Sequence, residues 1–368
     1  MWESSPCNGT CPNLSSDNKN CGTCGNVPQT TFATEPVPLS IAVGDFNGDK
    51  YLDIVTANFA SGAVSILLGN GDGSFQTQTT ITVGDIQEGV AAGDFSGDGH
   101  LDIVTTSVTS NSVSILLGNG DGTFQAQVTY PVGSHPNGVA VGDFNNDGHL
   151  DIVVANQGSN TVSVLLGNGD GTFQAQIVLA AGTEPFGIAV GIFSGDGHLD
   201  IVVTNADDNT VGVLLGNGDG TFQVQTTFPT GTTPYSVTVG DFNGDGNLDI
   251  VVANQGSMTT SILLGNGDGT FQAQTSYIVG FQPTGITAGD FNGDSHLDIV
   301  SANQGSDTLS VLLGNGDGTF QAQTTYPVGS SPRGLAVGDF NGDGHLDIVD
   351  TNLDSNTVSV LLGQPCSA

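Results

Sequence analysis

Apolar residues in this chain alternate with polar or small ones over short runs, and no stretch shows a helical period. Gly138 to Phe144 (GVAVGDF) has the alternation of a buried strand, and Leu150 to Ala155 (LDIVVA) reads as a second strand rich in β-branched residues. Gln157 to Asn160 supplies a turn and Val162 to Leu166 (VSVLL) a third strand. Gly167 to Gly171 (GNGDG) holds residues that tolerate positive φ in a hairpin, after which Thr172 to Val178 (TFQAQIV) predicts a fourth strand. The unit is a four-stranded antiparallel meander.

That unit recurs with a strict period. Asp45, Asp94, Asp143, Ile192, Asp241, Asp290 and Asp339 begin seven copies of one motif, each 49 residues after the last. No single unit of this length closes a core, so the copies must stack into one body. The chain ends choose between a linear stack and a closed ring. The seventh copy stops after its third strand, Val358 to Leu362, and Gln29 to Phe32 lies six periods, 294 residues, before Gln323 to Tyr326, the outer strand of the sixth copy. The N-terminal strand therefore supplies the missing fourth strand, and closure removes the exposed sheet edges that invite aggregation. The expected fold is all-β: a seven-bladed β-propeller of four-stranded antiparallel blades, closed by an N-terminal strand completing the last blade. Residues 1–27 form a Cys-rich N-terminal arm, 28–364 the propeller and 365–368 a C-terminal tail bridged to the arm.

Composition narrows the partners. With 37 acidic residues against Lys19, Lys50 and Arg333, the formal charge of −34 argues against nucleic acid or an anionic membrane and for cations. No apolar run approaches the ~18 residues of a membrane span. The start, MWESSPCNGT, lacks the basic and apolar regions of a signal peptide, so a leader is expected to have been removed or not recorded. Cys7, Cys11, Cys21 and Cys24 cluster near one end and Cys366 stands at the other, which suits disulfides in an oxidising compartment. Cys366 lies one period after Asp317, and Cys24 projects to position 318 when six periods are added, so the two meet in the hairpin of the closing blade. The expectation is a Cys24–Cys366 bridge, with Cys21 the alternative partner. Asn8 and Asn13 begin N-x-S/T sequons, candidate glycosylation sites.

The charge is concentrated in the repeated loop. In Asp339-Phe-Asn341-Gly-Asp343-Gly-His345-Leu-Asp347, oxygen-bearing side chains fall at positions 1, 3, 5 and 9. Three carboxylates within nine residues repel one another unless a hard cation shares them, and Ca2+ accepts about six to eight oxygens. The other sets are Asp45, Asn47, Asp49, Asp53; Asp94, Ser96, Asp98, Asp102; Asp143, Asn145, Asp147, Asp151; Asp241, Asn243, Asp245, Asp249; and Asp290, Asn292, Asp294, Asp298. Position 7 would add its backbone carbonyl, from Tyr51, His100, His149, Asn247, His296 and His345. Zinc is set aside because each loop has at most one His and no Cys, and an EF-hand because position 12 is never Glu. In the fourth copy Ile192 and Ser194 replace the first two ligands, so about six Ca2+ sites are expected, with that one weak or empty. The hairpin aspartates, Asp72 among them, read as Asx-type turns, and the repeated Phe, such as Phe173, as core.

These loops, the LLGNGDGTF hairpins and the four-strand period resemble the FG-GAP or VCBS repeats of integrin α-subunit propellers, bacterial surface proteins and some fungal lectins. The resemblance covers about residues 28 to 363. It implies a calcium-binding propeller, and it places the links between blades on the face opposite the calcium loops. At one equivalent place on those links stand Glu88, Asn137, Phe186, Tyr235, Thr284 and Arg333. Phe186, Tyr235 and Arg333 make a candidate ligand face, its rings suited to stacking on a sugar.

No nucleophile, base and orienting group recur together, so catalysis is not expected. The reading is a non-catalytic, extracellular or cell-surface, calcium-stabilised module for structure, assembly or adhesion. Its partners would be other copies of itself, an extracellular protein or glycans. The alternative is a glycan-binding lectin, against which stands that the only Trp, Trp2, lies outside the ring.

Overall fold

The computed structural model describes residues 29–84 and 86–363. They form seven four-stranded antiparallel sheets, each sheet one blade of a β-propeller. In blade 3 the strands run Pro136–Gly142, Asp151–Asn156, Thr161–Leu165 and Ile177–Ala180, from the axis outward. Blades 1 to 6 repeat this arrangement from residues 38, 87, 136, 185, 234 and 283. Blade 7 has Pro332–Gly338, Asp347–Asn352 and Thr357–Leu361, and its outer strand is Thr30–Ala33 from the other end of the chain. Thr30 pairs with Val360 and Ala33 with Thr357, so the ring is closed by the N-terminal strand, which lies six periods before Thr324–Pro327, the outer strand of blade 6, and in the same register.

The second strand of every blade is buried at all six positions, which is why it reads as DIVVAN or a close variant without polar alternation. Both its faces pack on neighbouring blades. Seven apolar clusters result, each shared by adjacent blades: Phe95, Val104 and Ile115 of blade 2 meet Ile152, Val154 and Leu165 of blade 3. The last seam joins Ile41 and Ile54 of blade 1 to Val349 and Val360 of blade 7. Each such side chain contributes on the order of 1.5–3 kcal/mol when fully buried.

Two sequence expectations shift. The fourth strand of blade 3 begins at Ile177, not Thr172, because Phe173 makes only a single bridge to Gly167 and then turns inward. There its ring packs edge-on against Phe95 and Tyr130, at 5.5 Å from each. The turn after Asn156 is a short 3-10 segment, Gln157–Ser159, closed by Asn160 in the left-handed region. The Cys-rich arm, Cys24 and Cys366 with the bridge between them, Cys21, and the sequons at Asn8 and Asn13 lie outside the described residues.

The first strands of neighbouring blades approach one another around the axis without pairing, and glycine permits it. A Cβ on Gly89 would stand 2.3 Å from the carbonyl oxygen of Asn137, and one on Gly285 within 1.9 Å of that of Arg333. Thr106 and Thr351 of the second strands donate hydroxyls to these inner carbonyls, at Asn137 (3.0 Å) and Leu39 (3.3 Å).

Candidate metal loops and the axial cluster

Each acidic loop joins the first strand to the second. In blade 1, Asp45 Oδ1 accepts the backbone N–H groups of Gly48 (2.7 Å) and Asp49 (3.2 Å), and its Oδ2 accepts that of Lys50 (2.8 Å). Asn47 Oδ1 accepts from Asp49 N–H (3.0 Å) and Asp49 Oδ1 from Tyr51 N–H (2.9 Å). Positions 1, 3 and 5 thus each fold the backbone around their own oxygens, which turns all three side chains into the loop. The loops at Asp241, Asp290 and Asp339 repeat these bonds. The second keeps them at Asp94, with Ser96 donating its hydroxyl to Asp94 (3.4 Å). The third keeps two of them at Asp143, from Asp147 and Gly148. In the fourth, Ile192 is 40% exposed and anchors nothing.

Position 9 has a second duty. Asp53 is buried, and it accepts Phe46 N–H on Oδ2 (2.8 Å) and Gly69 N–H on Oδ1 (2.7 Å), stapling the start of the loop to the hairpin sixteen residues on. All seven copies make this pair of bonds: Asp102, Asp151, Asp249, Asp298 and Asp347 do, and so does Asp200, whose loop has lost its first two candidate ligands. Retention of Asp200 beside Ile192 was the sequence signal for a role independent of metal.

Electrostatics record how the carboxylates face one another. Burial pushes Asp53, Asp151, Asp249, Asp298 and Asp347 up to about 6; the stapling N–H groups hold them down, and the charges at positions 5 and 1 add to the rise. Asp102 and Asp200 are raised by burial too; Asp98 adds to the first and Asp196 to the second. Among the described residues no three His, Cys, Asp or Glu side chains stand already arranged as a metal centre. The donor set nonetheless fits a hard cation in kind. Five loops supply three carboxylates and an amide oxygen within nine residues, and a carboxylate with one N–H on each oxygen keeps lone pairs to give.

Position 7 packs on the hairpin. A Cβ on Gly71 would meet the Tyr51 ring, and one on Gly120, Gly169 or Gly316 the rings of His100, His149 or His296, at 2.3–2.4 Å. The hairpin aspartates behave as turn formers: Asp72 Oδ1 accepts the N–H (3.0 Å) and hydroxyl (2.5 Å) of Ser74, which hold its carboxyl below the usual range. The hairpin of each blade from 1 to 6 also reaches back to the preceding blade, where Gly122 N–H donates to Phe46 O (3.0 Å) and Gly171 N–H to Phe95 O (2.9 Å).

The residues read as variable links belong instead to the first strands, on the expected side of the ring. Glu88, Asn137, Phe186, Tyr235, Thr284 and Arg333, with Leu39 as the seventh, are second residues of the first strands and line one end of the axial channel, beside a cavity of about 180 Å³. This is the end away from the acidic loops, since each first strand runs from here to its loop. Phe186 and Tyr235 stack with ring centroids 3.9 Å apart. The Arg333 guanidinium stands 5.6 Å from the Phe186 centroid and 5.2 Å from that of Tyr235, and it donates to Glu88 Oε1 at 2.7 Å. With its amide turned to donate, Asn137 also bonds Glu88 (3.0 Å). Burial pushes the Tyr235 phenol up, so it stays neutral. The three candidate ligand-face residues are thus brought together, but largely onto one another.

A family model for the FG-GAP-like repeat matches residues 45–105, 97–154, 143–203, 193–252, 241–301 and 290–349. No curated protein matches the chain. Solved structures similar to it include a lectin from Agrocybe aegerita that recognises non-reducing terminal N-acetylglucosamine, with 21% identity and a TM-score of 0.57 over 86% of each chain. A virginiamycin B lyase from Staphylococcus aureus has 14% identity and a TM-score of 0.63, covering 91% of this chain and 99% of the lyase. A streptogramin B lyase has 16% identity and a TM-score of 0.61 over 90% of this chain and 96% of its own. At these identities the likeness concerns the fold alone.

Proposed function

The chain belongs to the FG-GAP-like repeat family, and we propose that it is a non-catalytic, calcium-stabilised propeller serving outside the cell as a structural, assembly or adhesion module. The observation that carries the calcium reading is the recurrence, in five loops of the ring, of three carboxylates and an amide oxygen at positions 1, 3, 5 and 9; burial raises the carboxylate at position 9, and the charges at positions 5 and 1 add to the rise. In blade 5 the ion would be held by Asp241, Asn243, Asp245, the carbonyl of Asn247 and Asp249. When bound, it supplies the charge that these carboxylates share.

The protein's own groups then carry order from loop to ring. The Phe242 peptide lies between positions 1 and 3: its N–H is stapled to Asp249 and its carbonyl accepts Gly318 N–H of the next blade (3.0 Å). A loop fixed by its carboxylates therefore fixes a hydrogen bond across the seam, and a bound calcium would strengthen that fastening by holding the carboxylates in place. The same logic suits a rigid body that presents its surface to another copy or to an extracellular protein. No helix among the described residues is long and apolar enough to cross a membrane.

Calcium titration by calorimetry, paired with melting in EDTA and in CaCl2, tests the reading. The expected result is about six bound ions and a melting temperature that rises with calcium; no binding and no shift would overturn it. Sedimentation and electron microscopy of the purified protein then test assembly. The fold shared with the Agrocybe aegerita lectin supports a second reading, glycan binding. Binding of a defined sugar by a stable monomer on a glycan array would favour it over assembly.

A further inference from the structure

A ring of near-identical repeats has an ordering problem. Third strands read AVSIL, SVSIL, TVSVL, TVGVL, TTSIL or TLSVL, and outer strands as alike as TTFP and TTYP occur in different blades, so the local pairings of one blade suit strands of another. Exchange of equivalent elements between blades or between chains then costs little, the circumstance in which domain swapping arises. The axial position differs in every repeat, as Leu39, Glu88, Asn137, Phe186, Tyr235, Thr284 and Arg333; the place two residues earlier varies as fully, but it is the axial set that meets at one end of the channel.

Their placement around the ring is not arbitrary. Blades 7 and 2, which carry Arg333 and Glu88, flank blade 1, where the buried Leu39 makes no demand for a partner. Across the axis from blade 1 stand blades 4 and 5, which carry the stacked Phe186 and Tyr235. Arg333 spans this gap, bonded to the carboxylate at its side and set against the two rings. It is the only arginine in a chain of formal charge −34. Burial opposes its charge, and the Glu88 carboxylate together with the faces of the two rings offsets that cost. Asn137 of blade 3 supports the carboxylate, so five blades meet in one cluster.

We propose that this cluster is an axial cation cage, built from Glu88, Phe186 and Tyr235 and filled in cis by Arg333, and that it specifies the order of the blades. Short links between blades fix the order within one chain, so the competitors are rings assembled from blades of two chains; one that does not bring blades 2, 4, 5 and 7 together leaves the cage without its cation or the guanidinium without its carboxylate and rings. An uncompensated buried charge is among the costlier defects a fold can carry. The repeats supply stability in any order, and the cage makes one order better than the rest.

The test uses the full chain with Arg333→Ala, Arg333→Lys and Glu88→Gln, refolded from urea. Arg333→Ala is expected to lower the melting temperature by about 5 °C and to raise the share of exchanged dimers seen by light scattering after chromatography. Guanidinium chloride at about 20 mM, far below denaturing levels, is expected to raise the melting temperature of Arg333→Ala by 1 °C or more and to leave the unaltered protein unchanged. Lysine, a point charge without a planar face, is expected to recover less than half of the loss. An Arg333→Ala protein with unaltered melting temperature and monomer yield, or one on which guanidinium acts as it does on the unaltered protein, would overturn the proposal. Should Arg333→Ala fail to fold, Glu88→Gln decides: it keeps the cation and removes its carboxylate, so a lowered melting temperature with more dimer supports the cage, and unaltered behaviour refutes it.

Discussion

Replacing Asp350 by valine is expected to stabilise the ring, and the more so the higher the pH. Asp350 lies in the second strand of blade 7, paired with Leu335 and Ser359, and is completely buried. Neither carboxyl oxygen has a hydrogen-bond partner, and the Asn352 amide near it is given to Ser359 at 2.7 Å. Burial therefore raises its pKa well above the usual carboxylate value. The equivalent residues in blades 3, 4 and 5 are Val154, Val203 and Val252, all buried, so the site accepts valine in this very fold. An unpartnered buried polar group costs about 1–3 kcal/mol, and the added apolar atoms return about 0.8 kcal/mol per methylene equivalent, which together give a gain of roughly 2–4 kcal/mol. With about 2.1 cal/mol/K of unfolding entropy per residue, a ring of this size would melt roughly 3–6 °C higher. The folded state holds the Asp350 proton more tightly than the unfolded chain does. Its contribution is thus most favourable below the unfolded value of 3.8 and is lost as pH rises toward the folded one, so valine gains least near pH 4 and most near pH 8. Scanning calorimetry at both pH values reads the effect, with Asp350→Asn as the control that keeps a polar group but cannot titrate. A valine variant that melts no higher at either pH, or whose gain does not change with pH, would refute the reasoning.

Removing the staple in the incomplete loop, Asp200→Asn, is expected to cost about 1–3 kcal/mol, because an amide cannot accept from both Phe193 and Gly216. Its melting temperature should fall without loss of a bound calcium, whereas Asp249→Asn should lose both; equal calcium stoichiometry for the two variants would contradict this. Carboxylates raised to about 6 at Asp53, Asp151, Asp249, Asp298 and Asp347 favour folding most below the unfolded value of 3.8. In EDTA the melting temperature should therefore decline as pH rises from 4 through about 6, and the calcium-induced increase should grow over the same interval; a calcium effect independent of pH would count against shared carboxylates. Gly285→Ala should destabilise by about 1–3 kcal/mol, since its Cβ would fall within 1.9 Å of the Arg333 carbonyl oxygen, and chemical denaturation measures it.

Blade count and closure were legible because a period of 49 and the displaced strand at residues 29–32 leave no other way to complete the seventh blade. The acidic loops were legible as candidate metal chemistry, since spacing alone shows where carboxylates crowd. Position 9 was half-read: a buried aspartate holding two N–H groups and an aspartate awaiting a cation are spelled alike, and only the surviving Asp200 separates them. The outer strand was placed too early because TFQAQ has strand composition, while the inward turn of Phe173 depends on rings of the adjacent blade. The axial cluster was found as variation but not as contact. Glu88 and Arg333 are 245 residues apart, and no local pattern records that a ring brings them to 2.7 Å.

The pairing of Thr30 with Val360 also bears on how the protein is made. Synthesis at about 5–20 residues per second means that roughly 20–65 s separate the appearance of the first strand from that of its partner. Throughout that interval the growing arc ends in an open blade whose faces are apolar. The demand on chaperones is set by the length of the arc, and it ends only when the last strand leaves the ribosome.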